Sequence, residues 1–314
     1  MTADLGRIAI VGAGAIGLYY GARLARAGQD VTWLMRSDLK AARSGGIRVE
    51  TLDEAFTLEP VSVAADPRDI GPVDVVLIGL KATANHALPD LLPPLLKETT
   101  EVVTLQNGLG NIEALEGLHP RERLHAGLCF ICLNRFAPAG VRNTNRGALT
   151  LADAVEDADR PGPFIRELTA VFEAAGVRTR ALASLTAALS QKLVWNIPFN
   201  GIAIAAGGIT TDRICASPAL LAWTRALMEE VRQASGALGH PIDPSFCEKQ
   251  VDRTVPMGPY QPSSLVDWHD GKPVEVEAIW GEPLRRARAA GVPAPHLESL
   301  YWLLQYACRP DRQS

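Results

Sequence analysis

The chain opens with the pattern of a βαβ unit. Residues 8–11 form a continuous apolar run, which is typical of a strand buried on both faces. Residues 18–27 are rich in helix-forming side chains, and Gly28 follows where a helix end favours glycine. Residues 30–34, Asp-Val-Thr-Trp-Leu, form a segment of strand length rich in strand-favouring side chains. The pattern therefore predicts a strand, a helix and a second, parallel strand.

This alternation continues through the first half of the chain and then stops. The next predicted elements are a hairpin at 47–50 and 56–61, a strand at 73–78, a helical stretch at 82–96 broken by prolines, a strand at 101–105, β-rich segments across 124–151, a helix at 163–175 and a strand at 177–180. Helical patterns follow at 185–206, 218–238, 244–255, 274–290 and 296–306. The predicted fold class is α/β: a Rossmann-like doubly wound domain at 1–183, followed by an all-helical domain at 184–314. We expect the ligand cleft between the two.

A glycine-rich turn joins the first strand to the first helix. It consists of Gly12, Ala13, Gly14, Ala15, Ile16 and Gly17. In a GxGxxG turn the first glycine makes the tight bend, the second lets a pyrophosphate approach the backbone, and the third lets helix and strand pack closely. The turn predicts dinucleotide binding, and the alternative is a glycine-rich turn in another doubly wound fold.

The end of the second strand bears on which dinucleotide binds. Enzymes that use NAD usually place an acidic residue there for the ribose 2′-hydroxyl, whereas this chain has Arg36. A guanidinium suits a 2′-phosphate, so the sequence predicts NADPH. The alternative is that Arg36 is a solvated surface residue and Asp38 binds the ribose. Lys81 and Asn107 follow two later strands, where parallel sheets hold ligands, and both could face the cofactor.

Composition narrows the class of protein. The chain has 314 residues, is 47% hydrophobic and carries a formal charge of −4 without long runs of one sign, so nucleic acid and anionic membranes are not expected partners. No apolar stretch approaches the ~20 residues of a membrane span, and no signal sequence is apparent, so we expect a cytoplasmic protein. Cys129 and Cys132 form a CxxC inside an apolar run and are predicted to be core residues on opposite faces of a strand. The histidines are dispersed, and no metal site is predicted.

Two polar clusters could carry chemistry. Lys192, Asn196 and Asn200 recur every four residues and share one face of an otherwise apolar helix that also contains Pro198. A polar ligand would satisfy them, but asparagine bonds to the backbone and a lysine reaching solvent would do so too. Ser263 and Glu275 form the second cluster. They could face a substrate, or they could simply favour helix N-termini.

Taken in order, these landmarks resemble the ketopantoate reductase (2-dehydropantoate 2-reductase) family over essentially the whole chain. They are the glycine-rich turn with Arg36, the Gln106-Asn107-Gly108 strand end, the Lys192 helix and the segment from Ser263 to Glu275. The resemblance implies that Lys192 is the general acid and that Glu275 orients the hydroxyl-bearing end of the substrate. It also implies that Asn107 lies by the nicotinamide and the substrate, that Asn196, Asn200 and Ser263 hold the substrate, and that Arg36 and Lys81 hold NADPH. Glu277 and Trp280 depart from the family pattern, either as neutral packing or by reshaping the acid pocket.

The expected function is NADPH-dependent reduction of a 2-oxoacid, with 2-dehydropantoate, converted to pantoate in pantothenate and coenzyme A biosynthesis, as the expected substrate. One alternative is a sibling reductase for another 2-oxoacid. Another is a non-catalytic NADP(H)-binding regulator of the same fold, although such a protein would not need a lysine proton donor. The expected partner is the small 2-oxoacid, and a homodimer is the candidate assembly.

Overall fold

The structure, a computed structural model, describes residues 3–155 and 160–309. It divides into two compact units. Unit 1 comprises Met1–Gln106 and Asn111–Leu185, and unit 2 comprises Asn107–Gly110 and Thr186–Ser314. The main part of unit 2 thus begins two residues beyond the predicted boundary. The assignment of the four residues Asn107–Gly110 to unit 2 was not predicted. None of the helices in the described ranges is long and apolar enough to cross a membrane.

Twelve strands are found among the described residues, all in unit 1. They are β1 Arg7–Val11, β2 Asp30–Leu34, β3 Ile47–Glu50, β4 Ala55–Leu58, β5 Ser62–Ala64, β6 Val75–Ile78, β7 Glu101–Thr104, β8 Leu124–Phe130, β9 Leu133–Ala137, β10 Gly140–Asn143, β11 Ala148–Asp153 and β12 Thr179–Ala181. Eight of them form one sheet in the order β12-β11-β8-β7-β6-β1-β2-β5. Only the pairing of β11 with β8 in that sheet is antiparallel. The doubly wound α/β prediction is confirmed.

A second sheet, in the order β4-β3-β10-β9, was only partly predicted. The β3–β4 hairpin pairs as the alternation of residues suggested, but β3 also pairs in parallel with β10, some ninety residues later in the chain. Such a long-range pairing leaves no local pattern in the sequence. The helices of unit 1 are α1 Ala15–Arg26, α2 Leu39–Gly45, α3 Pro67–Ile70, α4 Leu88–Leu91, α5 Glu113–Glu116 and α6 Pro163–Ala174. Helix α1 contacts strands of both sheets.

Unit 2 is helical in its described part. Its helices are α7 Leu185–Ala205, which starts at the last residue of unit 1, α8 Thr211–Ala216, α9 Pro218–Ala237, α10 Pro244–Thr254, α11 Ser263–His269, α12 Glu282–Ala289 and α13 Pro295–Ala307. Helix α7 is apolar around most of its circumference, as expected of a central helix, and it contributes Val194, Ile197 and Phe199 to the core. Glu230 of α9 accepts hydrogen bonds from the first amides of α13, which fixes these two helices together.

Two predictions about local structure need correction. The helix predicted at 274–290 begins later: a π-helical turn, Glu277–Gly281, precedes α12. Strand β8 ends at Phe130, so Cys132 lies beyond it, and both Cys129 and Cys132 are half-buried rather than core residues. In both cases the apolar pattern is genuine, but a change of backbone conformation interrupts it.

Candidate active site

The glycine-rich turn of unit 1 is held by close backbone packing. Gly12 has φ of 101°, and a Cβ there would lie 2.5 Å from the Leu80 amide nitrogen. A Cβ on Gly17 would lie 2.1 Å from the Gly12 carbonyl oxygen, and one on Gly79 would lie 2.9 Å from the Gly17 nitrogen. The turns after β1 and β6 therefore touch through three glycines, because no side chain fits between them. Gly79 was not singled out in the sequence, although its place directly after β6 marks it.

The open side of this turn fits a pyrophosphate. A Cβ on Gly14 would meet only the Gly79 oxygen, 3.8 Å away, so the approach to the backbone there is unobstructed. Gly14 is the N-cap of α1, and the first turn of the helix contains no acidic residue. The first amides of a helix have no intrahelical acceptor and carry a partial positive charge, which favours an anion.

The structure separates the two candidate ligands for the ribose. Asp38 is 6% exposed, and its Oδ2 accepts a hydrogen bond from the Ala139 amide at 2.8 Å and pairs with Arg135. Its carboxylate is therefore already engaged by unit 1 itself. Arg36 is exposed just after β2, and its guanidinium makes no ion pair with any residue in the described ranges. Among the residues at this strand end, the arginine is the one available to a ligand.

An amide network lies at the ends of β6 and β7. Lys81 is half-buried and precedes a 3-10 helix, Ala82–Ala87, that carries Asn85. Gln106 donates to Asn85 at 2.7 Å and accepts from the Thr104 hydroxyl at 2.8 Å. Asn85 in turn donates to Asn111 at 3.0 Å. The network fixes the strand end immediately before Asn107, and Asn85 was not recognised in the sequence.

In unit 2, the segment that contains Asn107 packs on the backbone beside the π turn. Gly108 has φ of 82°, and a Cβ there would lie 2.3 Å from the Ala278 carbonyl oxygen. The Leu109 amide donates to that same oxygen at 2.8 Å. The glycine is required by both the positive φ and the close approach. This contact brings Asn107 next to the segment that carries Glu275.

The predicted lysine and Asn107 meet directly. Lys192 is 8% exposed, and its Nζ donates to Asn107 Oδ1 at 2.7 Å. Asn196 follows one helical turn later on α7, half-buried, and its side-chain amide makes no hydrogen bond with any described residue. A buried ammonium and an available amide thus share one face of the helix, as the spacing of four residues predicts.

Asn200 is engaged within the protein. It is 1% exposed, and its Oδ1 accepts from the Ser264 amide at 2.9 Å. This bond caps α11 from another helix, because Pro262, the N-cap residue of α11, has no side-chain hydroxyl or carboxylate to do so. Ser263, the neighbouring residue, is exposed. Asn200 therefore joins α7 to the start of α11.

Glu275 is 7% exposed and lies just before the π turn. Its carbonyl accepts from the Ile279 amide at 3.0 Å. Trp280, inside the turn, is fully buried, and its indole N–H donates to the Ile197 carbonyl at 2.9 Å. That carbonyl belongs to the turn of α7 interrupted by Pro198, so the tryptophan joins the π turn to the lysine helix. Single π turns of this kind occur frequently at functional sites.

Trp280 and Glu277 are the two residues that depart from the expected pattern. Glu277 contacts other residues than Trp280 does. Its carboxylate accepts from the Tyr301 hydroxyl at 2.7 Å, from Arg285 at 2.9 Å and from Gln305 at 3.2 Å. Partial burial raises its pKa, but these hydrogen bonds outweigh burial and lower the pKa overall. Glu277 and Trp280 are thus both committed to contacts within unit 2.

Comparison with known proteins identifies the family of the chain. Residues 8–156 match the family model for ketopantoate reductase PanE/ApbA, and residues 184–307 match the model for its C-terminal region. A 2-dehydropantoate 2-reductase from Nostoc sp. is 36% identical over 302 residues, which cover 96% of this chain and 94% of the relative.

Solved structures show the same likeness. The crystal structure of 2-dehydropantoate 2-reductase from Geobacter metallireducens matches with a TM-score of 0.92 and 40% identity, covering 96% of this chain and 99% of that one. The structure of the enzyme from Methylococcus capsulatus matches with a TM-score of 0.89 and 32% identity, covering 98% of both chains.

Proposed function

This chain belongs to the ketopantoate reductase family of NAD(P)-dependent oxidoreductases that act on 2-oxoacids, and we propose that it reduces 2-dehydropantoate to pantoate with NADPH, using Lys192 as the general acid. The observation that carries this proposal is the 2.7 Å bond between Lys192 Nζ and Asn107 Oδ1. The bond supports this proposal because Lys192 is buried and its ammonium is held by Asn107, the residue that directly follows Gln106 in the chain.

Unit 1 supplies the residues for the cofactor. The open backbone at Gly14 and the first amides of α1 would bind the pyrophosphate, and Arg36 would bind the 2′-phosphate. Lys81, at the end of β6, would contribute a second cation. When bound, NADPH supplies the hydride that reduces the ketone carbon.

Unit 2 supplies the proton, from Lys192, and holds the side chain of this general acid in place. Reduction adds a hydride to the carbonyl carbon and leaves negative charge on its oxygen. Lys192 Nζ gives a proton to that oxygen, which completes the hydroxyl, and the neutral amine then regains a proton from solvent. Asn107 holds the Lys192 side chain in one position through its amide oxygen. Such positioning and general acid catalysis each lower the barrier by several kcal/mol.

Substrate contacts are assigned to the remaining polar groups on this side of unit 2. Asn196 and Ser263 have side chains available for the substrate carboxylate, and Asn200 acts mainly by fixing the start of α11. Glu275 would accept a hydrogen bond from the substrate's own hydroxyl. Because Glu277 and Trp280 are committed elsewhere in unit 2, their departure from the family pattern gives no reason to favour another 2-oxoacid.

A steady-state assay that follows NADPH absorbance tests this proposal. Wild-type protein should reduce 2-dehydropantoate with kcat/KM higher than for 2-oxoisovalerate by on the order of 10⁴-fold, because a site built to bind a hydroxyl discriminates strongly against its absence. Glu275→Gln should weaken use of 2-dehydropantoate while changing use of 2-oxoisovalerate little. NADPH should be preferred over NADH with either acid.

Other outcomes point to the alternatives. Equal use of both acids would contradict the role of Glu275 and support a sibling reductase. Reduction of neither acid, nor of other 2-oxoacids, by protein that still binds NADPH would support a non-catalytic regulator.

A further inference from the structure

Unit 1 contains a cavity that the proposed reaction does not use. It has a volume of about 290 Å³, and it lies between the second half of α1, the β3–β4 turn, the β10–β11 connection and the residues after α6. A water molecule needs roughly 10–15 Å³ on the same measure, so the space is much larger than a single ion requires. Tyr19 and Tyr20 form part of its wall.

This cavity is separate from the glycine-rich turn. Its α1 lining residues begin at Tyr19, five residues or about 7.5 Å from Gly14 at the helical rise of ~1.5 Å per residue, and extend to Arg23, about 14 Å away. A dinucleotide pyrophosphate at the N-terminus of α1 would therefore not occupy it. Neither Lys192 nor Arg36 is among its lining residues.

Positive charge dominates the lining. Arg23, Arg146 and Arg178 face the cavity together with a single acidic residue, Asp53. Arg146 pairs with Asp53 at 2.6 Å, but both side chains are largely exposed, so this pair is weak. Arg178 is exposed and makes no side-chain hydrogen bond or ion pair with residues in the described part of the chain.

Arg23 on α1 can also donate a further hydrogen bond. Its Nη1 donates to Glu54 at 2.6 Å, but Glu54 is shared with Arg26 at 2.7 Å. Its Nε is buried and has no hydrogen-bond partner among the described residues. Leaving a buried donor without a partner costs free energy, so an acceptor in the cavity would be stabilised there.

The two asparagines that line the cavity offer hydrogen-bond donors to a ligand rather than acceptors. Asn145 Oδ1 accepts from the Cys132 amide at 2.9 Å, and Asn143 Oδ1 accepts from the Asn145 amide at 3.1 Å. Asn143 Nδ2 donates to the Tyr19 hydroxyl at a long 3.4 Å. The side-chain acceptor oxygens of both asparagines are thus used within unit 1, and the side-chain N–H groups of Asn145 make no bond with described residues.

We propose that this cavity is a binding site for a small, multiply charged anion that carries phosphate or carboxylate groups. Guanidinium groups bind both kinds of anion through paired, charge-assisted hydrogen bonds. The excess of donors and of positive charge selects against cations and neutral molecules, and the volume admits a metabolite-sized ligand. The site is independent of which 2-oxoacid the protein reduces.

Isothermal titration calorimetry tests the proposal on the whole protein with saturating NADPH present, so that the glycine-rich turn is occupied. Pyrophosphate and citrate serve as the phosphate and carboxylate probes, at a fixed ionic strength near 0.15 M. At least one should bind saturably, and Arg178→Gln should weaken that binding about tenfold to a hundredfold, the effect of losing a charge-assisted contact. Because Arg178 is exposed, this change should leave the fold and the reductase kinetics unchanged.

Arg166→Gln is the matched control, since it removes the same charge from an exposed arginine on α6 outside the cavity. It should retain wild-type affinity for the probe. Equal weakening by the two substitutions would mean that binding follows net charge alone and would overturn the proposal. Absence of saturable heat with both probes at millimolar concentration would overturn it as well. Binding of pyrophosphate alone or citrate alone supports the site and identifies the anion class.

Discussion

Lys192 is held by a contact within the protein that a solvent-exposed lysine would lack. A lysine that only covers apolar surface would extend its ammonium into water. Here the side chain is 8% exposed and its Nζ is held by the Asn107 amide oxygen. The ammonium is thereby kept in one place within unit 2, where a developing alkoxide could receive its proton.

Replacing this lysine should remove the proton donor without removing the cofactor site. Lys192→Ala is expected to lower kcat by roughly 10² to 10⁴, the usual contribution of a general acid, with little change in the Kd for NADPH. Gln191→Ala, which alters the exposed neighbour on the same helix, is the control and should behave like wild type. Near-normal kcat in the Lys192 variant would exclude this residue from the mechanism.

The proposed preference for NADPH over NADH depends on Arg36. Since Asp38 is engaged by Arg135 and the Ala139 amide, we expect Arg36→Ala to raise the KM for NADPH about tenfold to a hundredfold and to leave use of NADH nearly unchanged. Arg43→Ala, at another exposed arginine on α2, should have little effect. A wild-type preference for NADH would show that the inference from Arg36 is wrong.

Among the elements of unit 2, the π turn connects the pieces of the candidate site. Its Ala278 carbonyl receives the Leu109 amide, and its Trp280 indole reaches Ile197 on α7. Gly201 provides space for this contact, because a Cβ there would lie 2.8 Å from the indole nitrogen. The turn therefore holds the Asn107 segment, the lysine helix and Glu275 in a common arrangement.

Trp280→Phe tests that connection. Phenylalanine retains most of the apolar surface but removes the indole N–H that donates to the Ile197 carbonyl, and the loss of this hydrogen bond should destabilise the protein by about 0.5–1.5 kcal/mol. Urea unfolding followed by circular dichroism measures the change. Trp302→Phe on α13 is the matched control, because that side chain is 54% exposed and should contribute little. Equal stability of the two variants would contradict the proposed role of the Trp280 contact.

How far the sequence predicts each element depends on how local its causes are. The bounds of β2 and the main extent of α7 follow from apolar patterns, and the glycine-rich turn follows from spacing. The π turn does not, because residues 274–290 have an ordinary helical pattern and the extra residue is accommodated through Trp280 and Ala278, whose partners are distant in sequence. Likewise, the shared face of Lys192 and Asn196 was predictable, whereas the role of Asn200 as a cap for α11 required the position of Ser264.

Over the whole molecule, one short segment is assigned to a unit out of sequence order. Asn107–Gly110 belongs by its contacts to unit 2, although both flanking stretches belong to unit 1. A linear boundary at 183 could not include this segment, because composition and periodicity carry no information about which unit a loop packs against. This assignment brings Asn107 to Lys192, the contact on which the proposed role of Lys192 depends.

Stability of the molecule should also depend on pH through one buried group in unit 1. His125 on β8 is 3% exposed and lies between Asp153, 3.0 Å from Nδ1, and Glu101, 2.9 Å from Nε2. Arg123 also pairs with Glu101, and the Phe164 ring packs on the imidazole at 4.8 Å. Burial lowers the pKa of His125, but its bonds to Asp153 and Glu101 outweigh burial and raise it. Burial raises the pKa values of both carboxyls, and hydrogen bonds led by that from His125 lower them overall.

The direction of each shift fixes the pH range in which this cluster stabilises the fold. A raised histidine pKa contributes fully below its unfolded value, 6.5, and the contribution is lost as pH rises through the folded value. The lowered carboxyl pKa values contribute above their unfolded values, 3.8 and 4.5, and that contribution is lost as pH falls through the folded ones. The stabilisation should therefore be greatest between about pH 4.5 and 6.5.

His125→Gln isolates this effect, because it keeps a polar side chain of moderate size while removing the charge. The difference in unfolding free energy between wild type and His125→Gln, measured by urea denaturation from about pH 5 to 9, should be largest near pH 5.5 and should shrink as the pH rises beyond 6.5. In a protein that retains His125, Asp153→Asn removes one of the two anions beside the imidazole. This change should flatten the pH dependence of the unfolding free energy. If the difference in unfolding free energy between wild type and His125→Gln is the same at pH 5.5 and pH 8.5, the imidazole is held as a neutral hydrogen-bonding group. The two carboxylates would then have to be stabilised by Arg123 and the Gly162 amide instead.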